Sequence, residues 1–202
     1  MDPDRARTLA ELRKKIGAPG PAVQVAALTT HIPDLDAAIG GWPNPGLVEL
    51  SGRAGAGRLA LLMPTLSALA RKGLTVGVVD PLGRVYPPGW PAAECLLIAQ
   101  PAPEQAAWTA EQMARSGAIA AVVMLELSPP GAAGARLSRA CEQGGCTLFV
   151  LSERPEPRLP AAVRVAVEGR DEGQVWIRVL RRRGGPGEQR LAVRLGGAAG
   201  PQ

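Results

Sequence analysis

Residues 51–59 read Ser-Gly-Arg-Ala-Gly-Ala-Gly-Arg-Leu, and their spacing points to phosphate chemistry. Gly52 and Gly57 stand at the G-x4-G interval of a phosphate loop, with Gly55 between them. Such a loop works through its backbone: glycines let successive amides turn toward an anion at a helix N-terminus. Two side chains complete it, a lysine for the terminal phosphates and a serine or threonine for magnesium. Here those positions hold Arg58 and Leu59. The guanidinium keeps the charge, but leucine offers a metal no oxygen. Three readings follow: a working phosphate loop, a relic that keeps the turn and not the catalysis, or a plain glycine-rich turn. The missing ligand favours the relic.

Other chemistries find little support. His31 is the one histidine, which excludes His-rich metal sites and leaves a Ser-His-Asp triad without its usual base. The cysteines, Cys95, Cys141 and Cys146, are odd in number and sit in apolar segments. That pattern suggests reduced thiols in a cytoplasmic protein. Four zinc ligands cannot be assembled from them, so no metal is expected. No run approaches the roughly 20 apolar residues of a membrane span. The charged first residues lack the apolar region of a secretory signal.

The loop needs a strand before it and a helix after it, and both are legible. Residues 47–50 form a short apolar run; residues 58–73 read as a helix ending at a basic residue and a glycine, with Pro64 inside. Apolar runs at 74–80, 95–99, 119–127 and 147–152 read as buried strands, and 104–116 and 132–143 as helices between them. This alternation predicts an α/β domain with a mostly parallel central sheet flanked by helices. Residues 81–94 hold four prolines and read as an irregular loop, with Trp90 either an exposed contact or an anchor to the core. Residues 163–168, 174–181 and 189–195 alternate apolar and polar with period two, which predicts an antiparallel C-terminal extension whose last two strands form a hairpin. Residues 1–27 read as an N-terminal helix and linker, with Leu9, Leu12 and Ile16 on one helical face, and 28–202 as a single domain.

Charge is uneven along the 202 residues: the net +5 lies entirely in residues 130–202, and every base there is arginine. Arg178, Arg181, Arg182, Arg183, Arg190 and Arg194 cluster around the hairpin and are candidates for contact with phosphates or an acidic protein. The competing reading is a solvated sheet face. The aromatic residues are scattered, so a stacking platform for single strands is not expected, and any DNA binding should be weak or indirect.

The order of these segments resembles the RecA recombinase core over roughly residues 28–195. Residues 28–58 look like the stretch that leads into the Walker A loop, and 75–83 like the strand whose end carries the catalytic glutamate. Residues 100–106 and 114–127 resemble the helix and Walker B strand, 146–154 the strand before the second DNA-binding loop, and 175–195 the closing hairpin. Set against that family, Leu82 stands at the catalytic glutamate and Leu125 at the Walker B aspartate, although a one-residue shift brings Glu126 there. With Arg58 and Leu59, four polar catalytic positions are changed. The resemblance therefore implies a degenerate ATPase fold without hydrolysis, and without ATP or magnesium as cofactors. Residues 128–134 and 153–161 are short where RecA has its two DNA-binding loops.

Among such degenerate relatives the chain is most similar to the ImuA family of bacterial mutagenesis accessory proteins, whose annotations sometimes borrow the name SulA, a cell-division inhibitor. The resemblance implies a noncatalytic adaptor in damage-induced mutagenesis and translesion synthesis. Its partners would be an ImuB-like protein, RecA or its filament, and indirectly an error-prone polymerase. It also implies that Leu9, Leu12 and Ile16 dock on a partner or a second copy, or else on their own domain. Two alternatives stand beside it: a weakly active NTP-binding recombinase paralogue, and a SulA-like division inhibitor.

Overall fold

The computed structural model describes residues 26–90, 93–129, 131–182 and 188–195. The expected N-terminal helix with Leu9, Leu12 and Ile16, as well as Arg183 and the hairpin loop at 184–187, lie outside the described residues.

In chain order the strands are β1 (Ala26–Leu28), β2 (Trp42–Asn44), β3 (Gly46–Ser51), β4 (Val76–Val79), β5 (Leu96–Ala99), β6 (Ala121–Leu125), β7 (Thr147–Ser152), β8 (Val163–Asp171), β9 (Gln174–Arg181) and β10 (Gln189–Arg194). The helices are α1 (Pro33–Ile39), α2 (Arg58–Arg71), α3 (Ala106–Arg115) and α4 (Gly131–Gly144). Eight strands form one sheet in the order β10-β9-β8-β3-β7-β6-β4-β5. From β8 to β5 every pairing is parallel; β8-β9 and β9-β10 are antiparallel. The sheet is thus mostly parallel with an antiparallel C-terminal end, as the change from apolar runs to period-two alternation predicts.

The central strands β3, β4, β6 and β7 divide their side chains between two cores, because successive residues point to opposite faces. Val48, Leu50, Val123, Phe149, Val165 and Ile177 meet Leu35 of α1 and Leu61, Leu62 and Leu66 of α2. Leu47, Val122, Met124, Leu148 and Val150 meet Ala106 and Ala110 of α3 and Leu137 and Cys141 of α4. Trp42 anchors the first core: its Nε1 donates to Thr65 Oγ1 at 3.1 Å and its ring lies edge-on to Phe149 at 5.5 Å. On the other face, Glu111 of α3 is paired with Arg136 of α4 at 3.1 Å.

Several boundaries differ from the sequence expectation. The two-stranded β1-β2 ribbon is a finding: Ala26 and Ala27, expected in the linker, pair with Asn44 and Pro43. Helix α2 runs unbroken through Pro64. Strand β6 stops at Leu125 because Glu126 has φ 57, a left-handed conformation that no strand continues through. Trp90 is buried and so anchors the proline-rich loop, while Tyr86 beside it is exposed. No described helix is long and apolar enough to cross a membrane.

Candidate functional site at the glycine loop

Strand β3 ends at Ser51, the glycine loop follows, and α2 begins at Arg58. The loop lies at the carboxyl edge of the parallel strands, where such sheets place their sites. Its glycines answer two needs. Gly52 has φ 146 and its amide donates to Ser152 O at 3.0 Å; a Cβ there would lie 2.3 Å from Val167 O. Gly57 has φ 110, and a Cβ there would lie 2.9 Å from Val175 Cγ2. The loop is therefore pressed against β8 and β9. Gly55, with φ 80, faces open space, so only its backbone conformation calls for glycine.

Arg58 is 4% exposed, and its Nη2 donates to Glu126 Oε1 at 2.6 Å. Its Nη1 is buried without a partner among the described residues. Glu126, one residue past Leu125, is the carboxylate that the fold brings to the loop. Leu125 itself is buried in the first core, and Leu59 is half-buried against it. Leu82 is 48% exposed. It sits in a turn organised by buried Asp80, whose Oδ2 accepts the Val85 amide at 2.7 Å and whose carbonyl accepts the Gly83 amide at 3.2 Å. Ser51 Oγ and Asp80 Oδ1 are likewise buried without partners among those residues. Gly52, Gly55, Gly57, Arg58 and Leu59 therefore form one continuous feature joined to Glu126, whereas Leu82 belongs to the separate turn that Asp80 organises.

A second buried charge appears behind the loop. Glu49, at the middle of β3, has no exposed surface and is paired with Arg164 of β8. Its Oε1 accepts the Glu156 amide at 2.6 Å, and Arg164 Nη2 donates to the carbonyls of Glu156 at 2.6 Å and Leu159 at 3.0 Å. The connection from β7 to β8 is thereby stitched onto the sheet. Sequence reading missed Glu49; the signal was a carboxylate inside an apolar strand, which must find a partner when buried.

The arginine cluster separates into three groups. Arg178 and Arg190 are directly opposed on β9 and β10. Arg178 lies 2.6 Å from Glu188, and Arg190 lies 3.1 Å from Glu168. Arg182 instead donates to Ala38 O at 2.5 Å, at the end of α1. Arg181 and Arg194 are exposed, and the Arg194 amide donates to Asp34 Oδ2 at 3.3 Å. Trp176, 50% exposed, stands on the same face as Arg178 beside a hollow lined by Glu168, Gly169 and Arg190. Among the described residues no group of three His, Cys, Asp or Glu is placed to hold a metal ion.

The protein-family models contain no match to this chain, and neither do the curated protein sequences. Its backbone is similar to the crystal structure of the RadB recombinase, with a TM-score of 0.68 at 15% identity, over 83% of this chain and 95% of that one. The strand order, the glycine loop between β3 and α2 and this likeness together give the chain a RecA-like fold.

Proposed function

We propose that this chain is a noncatalytic RecA-like accessory protein in damage-induced mutagenesis, acting through contacts with an ImuB-like protein and with RecA or its filament. The observation that carries the reading is the Arg58–Glu126 pair, in which the loop's basic residue is held 2.6 Å from a carboxylate of the same chain. Leu59 offers no oxygen beside it, and Leu82 supplies no carboxylate to orient water. This donor set does not fit a magnesium-bound triphosphate, so no hydrolytic step is assigned. The β7–β8 connection supports the same reading. Glu49 and Arg164 fix it in place, whereas a loop that answers to nucleotide must be able to move.

Contact with DNA is secondary. Glu168 and Glu188 neutralise Arg178 and Arg190, which leaves Arg181 and Arg194 as the exposed members of the cluster with no acidic partner among the described residues. Weak, salt-sensitive binding is the expectation.

Purified chain immobilised on a sensor tests the reading. Saturable binding of an ImuB-like protein or of RecA on single-stranded DNA is expected. Binding to neither removes it, and co-purification with a division protein would favour a SulA-like inhibitor instead.

A further inference from the structure

We propose that the carboxylate of Glu126 is the resident anion of the glycine loop: the chain supplies its own occupant for the phosphate position and admits an external phosphate group only when that carboxylate is removed. This does not rest on the accessory role, since the pair would stand whatever partner the chain has.

Three observations carry it. Arg58 is the first residue of α2, whose N-cap is Gly57 and carries no side-chain cap. The opening amides of a helix have no intrahelical acceptor, and the helix end is electropositive. Arg58 adds a full charge there, and Glu126 answers it at 2.6 Å from the end of a different strand. A charge-assisted bond of this length, with Arg58 only 4% exposed, is little screened by water.

The fit is also incomplete in a telling way. One guanidinium nitrogen, Nη1, is buried with no acceptor among the described residues. Here the carboxylate meets the guanidinium through one oxygen on one nitrogen. A phosphate group presents more oxygens and can engage both η-nitrogens. The Arg58 side chain thus retains donor capacity that its present partner does not use.

Finally, Glu126 holds φ 57, a conformation that glutamate rarely adopts. Backbone of this kind persists where surrounding contacts over-determine it. Among the described residues the Glu126 carboxylate hydrogen-bonds to Arg58.

The test is calorimetric titration of inorganic pyrophosphate into the full chain and three variants: Glu126→Gln, Glu126→Gly, and R58A combined with E126Q. Glutamine keeps the size and removes the charge. Glycine removes the charge and accepts the positive φ, so it stays informative if the glutamine variant fails to fold. Both neutral variants are expected to bind pyrophosphate at least about tenfold more tightly than the parent chain, and loss of Arg58 is expected to abolish that gain. Equal affinity in the parent and both neutral variants, whether measurable or absent, overturns the proposal. A gain that survives loss of Arg58 overturns it as well.

Discussion

Glu49 and Arg164 form an ion pair between adjacent parallel strands, with the carboxylate wholly buried beneath the β7–β8 connection. The pair does more than neutralise a charge. Both residues also bond to backbone of that connection, at Glu156 and Leu159, so one pair fixes a strand register and a loop path together. Removing one partner would strand the other charge in a site that water does not reach.

Arg164→Ala is therefore expected to destabilise the chain by about 3–5 kcal/mol. For a domain of this size that lowers the thermal midpoint by roughly 10 °C. Proteolysis should then begin within residues 153–161. A variant with an unchanged midpoint would show that the pair holds nothing.

The glycines of the loop should differ sharply in their tolerance of alanine. Gly55→Ala meets no neighbour and carries only the left-handed backbone penalty, about 1–2 kcal/mol. Gly52→Ala drives a Cβ to 2.3 Å from the Val167 carbonyl, a backbone atom that cannot step aside. Its cost should exceed about 4 kcal/mol. Denaturant melts of the two variants check the order, and equal costs would mean that the loop does not press on β8.

The thiols give a prediction in pH. Burial pushes Cys141 and Cys146 up from 9.0 to about 12, since a thiolate is poorly solvated there. Cys95 is only partly buried. At pH 8 a thiol-disulfide reagent should titrate Cys95 first and reach the other two only on unfolding. Because both raised thiols keep their protons in the folded state, their contribution to stability is complete below pH 9 and is lost between pH 9 and about 12. Rapid reaction of all three thiols in the native chain would contradict this.

Much of the architecture was legible because the sheet is buried on two faces. The run at 147–152 and the apolar part of 119–127 could only be interior strands, and period two marked the antiparallel end. The glycine loop was legible from its strand-loop-helix setting. The β1–β2 ribbon was not, since Trp42-Pro43-Asn44 is too short to show a period and includes a proline. Periodicity also fails at strand ends. Whether Leu125 or Glu126 meets the loop turns on one residue's φ, which apolar patterning does not encode. The arginine face was visible as alternation, but its neutralisation was hidden. Glu168 lies at a register shift between β8 and β9, and Glu188 lies outside the alternating positions, so neither pairing could be read from spacing.

The most direct measurement follows RecA's ATPase on single-stranded DNA as this chain is titrated in, with the chain alone as control. A dose-dependent fall in RecA turnover is expected, with no ATP hydrolysis by the chain itself. No fall would remove the filament as a direct target and leave the ImuB-like protein as the partner. ATP turnover by the chain alone, lost in Arg58→Ala, would contradict the central claim that this RecA-like fold acts by binding without catalysis.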